Sequence, residues 1–310
     1  MLRRLRIALR HDEKRESPLY WLSAAPLYHF SKEMSILTDA KQLITYSLVF
    51  IKIFYKENII CMESNLARVH SLESFGSVDG PGIRYVIFLQ GCNFRCRYCH
   101  NPDTWNPDGT EKSKPTLMSA DELIEKALRY KPYWGKEGGI TVSGGEALLQ
   151  IDFLNELFRK CHEKGINTCL DTSAGPFTRE EPFFSKFNEL MKNTDLVMLD
   201  IKQIFDEDHK KLTGHTNKNI LDCATYLSDT GVPMWIRHVL VPGITTDEKE
   251  LRELRKFIDT LKTVKRVEVL PYHTLGIYKY EELGIPYSLK DTNPPTEEQV
   301  NTAREILGAI

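Results

Sequence analysis

From Arg84 onward the chain alternates short apolar runs with longer stretches of helical spacing, and that alternation leaves few folds open. The runs lie at residues 85–89, 140–142, 168–170, 196–199, 234–241 and 267–270. Between them, Leu123, Ile124, Ala127 and Leu128 mark one face of a helix. So do Phe153, Leu154, Leu157 and Phe158, and again Leu251, Leu254, Phe257, Ile258 and Leu261. Ser119 with Glu122 three residues on is a capping-box signal that starts the first of these helices. Near-continuous apolar strands joined by helices predict a parallel sheet with both faces covered. Six pairs are too few to close an eight-stranded barrel. The expected fold is α/β, a partial, open (β/α)6 TIM-like barrel occupying residues 62–310.

In parallel α/β folds, chemistry gathers at the carboxyl ends of the strands. The distinctive polar residues fall there: Cys92, Cys96 and Cys99 after the first run, Ser143 to Glu146 after the second, Asp171 and Thr172 after the third, Asp200 and Lys202 after the fourth, and His273 after the sixth. The cysteine triplet is the strongest of these signals. Its spacing is Cys-x3-Cys-x2-Cys, with no fourth cysteine nearby. A structural zinc site or an electron-carrying cluster uses four protein ligands. Three thiolates on a four-iron cluster leave one iron open to a substrate. The competing reading is a zinc-binding interaction module completed by His100.

The other motifs are weaker alone. Gly144 and Gly145 after a strand let a ligand approach the backbone, and Glu146 is placed to accept from an ammonium group. Asp79, in Asp-Gly-Pro-Gly82, reads as a turn and a candidate wall of the opening. Asp171 and Asp200 read first as strand-end turn residues, Lys202 as a solvated lysine and His273 as a core histidine. Arg237 is expensive to bury unpaired and calls for a carboxylate partner. Cys61, Cys161, Cys169 and Cys223 lack cluster-like spacing and read as reduced thiols.

A net charge of −2 gives no general pull toward nucleic acid or membrane. Seven cysteines are too sparse for a disulfide scaffold, and thiolates that hold a cluster need a reducing compartment, so a cytoplasmic protein is expected. Residues 1–61 differ from the rest: a basic, apolar start, no glycine, and an uncharged stretch at 43–51 too short to span a bilayer. They are read as an N-terminal extension, disordered or a misassigned start, with Met62 the natural beginning.

The triplet with Tyr98 before its last cysteine, followed by Gly144-Gly-Glu146, resembles the radical S-adenosylmethionine superfamily. The longer stretches Ser77 to Arg84, Tyr98 to Trp105, Ser143 to Ala147, Leu196 to Gln203, Trp235 to Arg237 and Leu270 to His273 closely resemble its pyruvate formate-lyase-activating branch, from about residue 66 to the end. The absence of any cysteine between Cys99 and Gly144 separates it from activases that carry an inserted ferredoxin-like segment. The resemblance implies an oxidoreductase that makes a glycyl radical on pyruvate formate-lyase; activation of another glycyl-radical enzyme is the alternative. It implies one [4Fe-4S] cluster on Cys92, Cys96 and Cys99 at the carboxyl ends of the strands. S-adenosylmethionine would lie against Tyr98, Cys99, His100, Gly144, Gly145, Glu146, Asp200, Ile201, Lys202, Arg237 and His273. A monovalent cation would sit at Asp171, Thr172, Met198 and Asp200. A flavodoxin or ferredoxin would be the electron donor, and the enzyme a monomer.

Overall fold

A computed structural model describes residues 65–111 and 114–309. The expectations for residues 1–61 lie outside them. The six predicted runs are six parallel strands: β2 (Arg84–Leu89), β4 (Gly139–Gly144), β5 (Asn167–Thr172), β6 (Leu196–Asp200), β7 (Met234–Leu240) and β8 (Val264–Pro271). Two strands were not anticipated. β1 (Ala67–Gly76) pairs antiparallel with β2, and β3 (Thr116–Met118) pairs antiparallel with β1. The sheet runs β3-β1-β2-β4-β5-β6-β7-β8 and does not close on itself.

Eight α-helices are described: α1 (Ala120–Leu128), α2 (Ile151–Glu163), α3 (Phe183–Met191), α4 (Asp206–Thr213), α5 (Lys218–Thr230), α6 (Glu248–Asp259), α7 (Ile277–Leu283) and α8 (Glu297–Leu307). The Ser119–Glu122 capping box forms as expected at the start of α1. The core lies between helices and sheet, where Ile87, Leu89, Ile140, Val142, Leu170, Val197, Leu199 and Ile236 meet Leu123, Leu154, Leu157 and Phe158. None of the described helices is long and apolar enough to cross a membrane.

The alternate strand residues face the interior of the open barrel, and there the strands are not uniformly apolar. Cys169, Met198, Leu196 and Trp235 form a small separate apolar cluster. Two residues further along their strands stand Asp171, Asp200 and Arg237, with Glu268 opposite Arg237 in register. Because side chains alternate with period two, this charged layer lies directly above the apolar one, toward the carboxyl ends.

Below them, Arg84 is fully buried. Its Nε donates to Thr141 Oγ1 at 2.5 Å, and its Nη atoms donate to the carbonyls of Pro81, Glu137, Ile140 and Asn167 and to Asn167 Oδ1. Thr141 in turn donates to the Asp79 carbonyl at 2.6 Å, so the turn at residues 79–82 is tied into the barrel interior.

Candidate active site

The carboxyl ends of the strands enclose a cavity of about 520 Å³. Cys92, Cys96 and Cys99 line it together with Gly144 and Gly145 from the end of β4. The two loops interlock: Gly145 N donates to Leu89 O at 3.0 Å, and Glu146 N donates to Gly91 O at 2.8 Å. The cysteine loop is further pinned where Arg95 N and Arg97 N donate to the carbonyls of Thr213 and Leu212 at the end of α4.

Burial pushes the Cys92 and Cys96 thiols up to about 12 and raises Cys99 as well. Such thiols stay protonated until a metal displaces the proton. The Asn101 N–H donates to Cys99 Sγ at 3.4 Å, a contact that favours the thiolate. The Tyr98 hydroxyl is buried at the cavity wall without a partner, as expected where a ligand completes the wall. Three soft donors on one wall with an unsatisfied hydroxyl beside them fit a cluster carrying an open iron and a small ligand. A single zinc ion completed by His100 fits less well. The His100 ring stacks on His273 at 3.9 Å, and its Nε2 donates to the His273 carbonyl at 2.9 Å. Among the described residues, no three His, Cys, Asp or Glu side chains are gathered for one ion.

The charged layer faces the same cavity. Lys202 Nζ donates to Asp200 at 2.8 Å and lies 5.8 Å from the Tyr98 ring. Burial pulls the Lys202 pKa down, but Asp200, Tyr98 and Cys96 outweigh it, and the ammonium is held well above its ordinary value. Arg237 Nη1 is 3.2 Å from Asp171, and its Nε is 3.6 Å from Glu268. Asp171 is raised by burial, against the pull of Arg237. Asp200 is lowered because Lys202 and Arg237 outweigh burial. The cations favour the ionised form of both carboxylates; burial wins at Asp171, and Lys202 with Arg237 wins at Asp200.

Tyr98, Cys99, His100, Gly144, Gly145, Asp171, Thr172, Asp200, Lys202, Arg237 and His273 all line the cavity. Three expected residues do not. Glu146, expected at an ammonium group, is almost wholly buried and turned into the protein: it accepts from Leu148 N, Ser173 N, Ser173 Oγ and Thr172 Oγ1. Its acceptor sites are filled by protein donors, so its role here is to bind the β4 turn to the end of β5. Ile201 is buried, its N–H and carbonyl joined to the Arg237 carbonyl and His238 Nδ1. The Met198 side chain packs in the apolar layer, which leaves only its backbone near Asp171. Ser143, placed at a strand end but given no role, donates to Asp171 at 2.6 Å, and Glu268 was not singled out. Their position at the inward face of a strand end was the available signal. The apolar walls Phe88, Phe94, Trp105, Val239 and Leu270 were likewise missed.

Residues 86–257 match the Radical SAM superfamily. The pyruvate formate-lyase-activating enzyme of Streptococcus mutans is 54% identical over 239 residues, covering 77% of this chain and 90% of that protein. The enzyme of the same name from Listeria monocytogenes serovar 1/2a is 51% identical over 248 residues, 79% of this chain and 98% of its own. Among solved structures, Streptococcus suis SuiB bound to precursor peptide SuiA superposes with a TM-score of 0.53 at 16% identity, covering 91% of this chain and 57% of that one. A radical SAM methyltransferase from Sphaerobacter thermophilus gives 0.51 at 17%, covering 73% and 63%. At such identities the likeness is one of fold.

Proposed function

The chain belongs to the pyruvate formate-lyase-activating enzymes of the radical SAM superfamily, and we propose that it activates pyruvate formate-lyase by generating a glycyl radical on it. The observation that carries this reading is the meeting of three cysteines and a charged strand-end layer around one cavity in a chain so similar to those activases. When bound, a [4Fe-4S] cluster would supply the electron for reductive cleavage of S-adenosylmethionine to methionine and a 5′-deoxyadenosyl radical, the species that would take a hydrogen atom from the partner's glycine.

The protein's own residues bind, orient and exclude water. Cys92, Cys96 and Cys99 hold the cluster. Tyr98 and His100 lie on the adenine side. The backbone at Gly144 and Gly145 receives the methionyl ammonium, and Lys202, Arg237 and His273 receive the carboxylate and ribose end. Asp171 and Asp200, with the backbone of Thr172 and Met198, remain the proposed place of a monovalent cation, which would share the two carboxylates with Arg237 and Lys202. The apolar walls Phe88, Phe94, Val239 and Leu270 keep water from a reactive intermediate. Asp79 and Val78 stand at the same cavity and wall the side from which a partner's loop enters.

A flavodoxin or ferredoxin serves as electron donor, the enzyme acts as a monomer in the cytoplasm, and residues 62–310 carry the activity. The test is electron paramagnetic resonance after anaerobic mixing of the reduced, reconstituted chain with S-adenosylmethionine and pyruvate formate-lyase. A glycyl radical on the lyase is expected. No signal there, with one on a different glycyl-radical enzyme, overturns the assignment.

A further inference from the structure

We propose that Lys279 is a positioning residue: through Asn101 and Asp103 it latches helix α7 onto the cysteine loop and holds Cys99 ready for the cluster. The inference rests on the cluster reading above. Between Cys92 and Trp105 the chain has no regular structure beyond one 3-10 turn, Pro102–Thr104. Segments of this kind open at low free-energy cost unless something outside ties them down.

Lys279 Nζ donates to Asn101 Oδ1 at 2.8 Å and lies 3.1 and 3.2 Å from the two Asp103 oxygens. Asp103 also faces His70 Nε2 of β1 at 2.9 Å. All three side chains are mostly removed from water, with 14% of His70, 16% of Asp103 and 19% of Lys279 exposed. A lysine is normally a solvated residue, so one held this way restrains whatever it touches. Asp103 therefore joins three separate elements: strand β1, the cysteine loop and α7.

The neighbouring contacts converge on the same cysteine. Asn101, held by Lys279, is the residue whose N–H donates to Cys99 Sγ. Tyr280, the next residue of α7, donates its hydroxyl to the Cys99 carbonyl at 3.0 Å and sets its ring edge-on to Trp105 at 5.9 Å. Gly276, which caps α7, sits so close that a Cβ there would lie 2.8 Å from His100 Cα. Every one of these contacts falls within residues 99–105, on one cluster ligand and its flank. Outer partners of this kind orient the ligand, and positive charge and N–H···S bonds raise the potential of an iron–sulfur cluster.

The experiment compares Lys279→Met, Lys279→Arg and Tyr280→Phe with the wild type in the anaerobically reconstituted full chain. It reads the rate of iron loss to a ferrous chelator, the reduction potential by paramagnetic resonance titration, and the melting temperature. Lys279→Met should lose iron about tenfold faster, the low end of the penalty for removing an outer partner of a metal ligand. Its potential should move to more negative values. Tyr280→Phe should shift both readouts the same way but less, and Lys279→Arg should stay near wild type. A Lys279→Met chain that melts lower yet keeps wild-type iron loss and potential would show an ordinary structural tie and overturn the proposal. If that variant fails to fold, Tyr280→Phe with wild-type readouts overturns it. A wild-type chain that takes up no four-iron cluster defeats the cluster reading itself. A loaded wild type with indistinguishable variants defeats only the latch.

Discussion

Gly145→Ala tests how the β4 turn and the cysteine loop are held together. Gly145 needs no left-handed backbone, so the cost of a methyl group there is contact alone. The new Cβ would overlap the Gly91 carbonyl oxygen and lie 2.9 Å from Cys92 Cβ. Ordinary carbon–carbon contacts are near 3.5–4.0 Å, so the loop must retreat by about 1 Å. That motion breaks the bond from Glu146 N to Gly91 O, now 2.8 Å, at a cost of about 1 kcal/mol. Overpacking adds roughly 1–3 kcal/mol. Together these lower the melting temperature by roughly 5–15 °C for a unit of this size. Because Cys92 moves with Gly91, iron bound per chain after reconstitution should fall too. Thermal melting by circular dichroism and iron analysis read the two effects. Gly165→Ala is the control: Gly165 has φ +62° with nothing within 4 Å of a new Cβ. It should lose about 1–2 kcal/mol through backbone strain and bind iron fully. Gly145→Ala with wild-type melting and iron content would refute the interlock.

Cys96→Ala leaves two thiolates and should abolish both the cluster chromophore and S-adenosylmethionine cleavage; retained cleavage would move the cluster elsewhere. Glu146→Gln puts an amide where the side chain only accepts, so urea unfolding should show a loss of ~1–3 kcal/mol, while the dissociation constant for S-adenosylmethionine stays near wild type. Weakening by about tenfold, or 1.4 kcal/mol, would restore an ammonium role for Glu146. Arg84→Met strands acceptors on three separate segments and should cost ~3 kcal/mol or more, read as a lower urea midpoint at unchanged slope. Asp206 is held below the ordinary carboxylate range by Thr216, Lys210 and Asn217. A depressed folded-state pKa contributes stability that is full above the unfolded value near 4 and is lost as pH falls toward the folded value. Asp206→Asn should therefore flatten the acid limb of the stability profile, and an unchanged limb in pH-dependent urea melts would exclude that contribution.

The legible part of this protein is the part written in local periodicity. Six parallel strands, the capped start of α1 and the three clustered cysteines follow from spacings within a few residues, because side-chain direction alternates along a strand and repeats along a helix. Chain direction then places Cys92, Gly145, Asp171, Asp200 and His273 at one end of the sheet without any knowledge of packing. β1 was overlooked because it carries residues such as His70, Ser71 and Glu73 that read as loop. The partial barrel also leaves an interior that polar residues can line, so β7 alternates between Trp235, Arg237 and Val239 on one face and Ile236 and His238 on the other.

What only the tertiary structure decided is which polar group meets which. Glu146 looked like a ligand contact until Ser173, 27 residues away, filled its acceptors. Lys279 had no distinguishing context until folding brought it 176 residues back to Asp103. A buried charge must find a partner, but its identity depends on which distant segments the packed core brings within about 3 Å. Local spacing therefore specifies the strands and the cysteine triplet, while the pairing of the charges around them emerges only when the sheet curves and its loops meet.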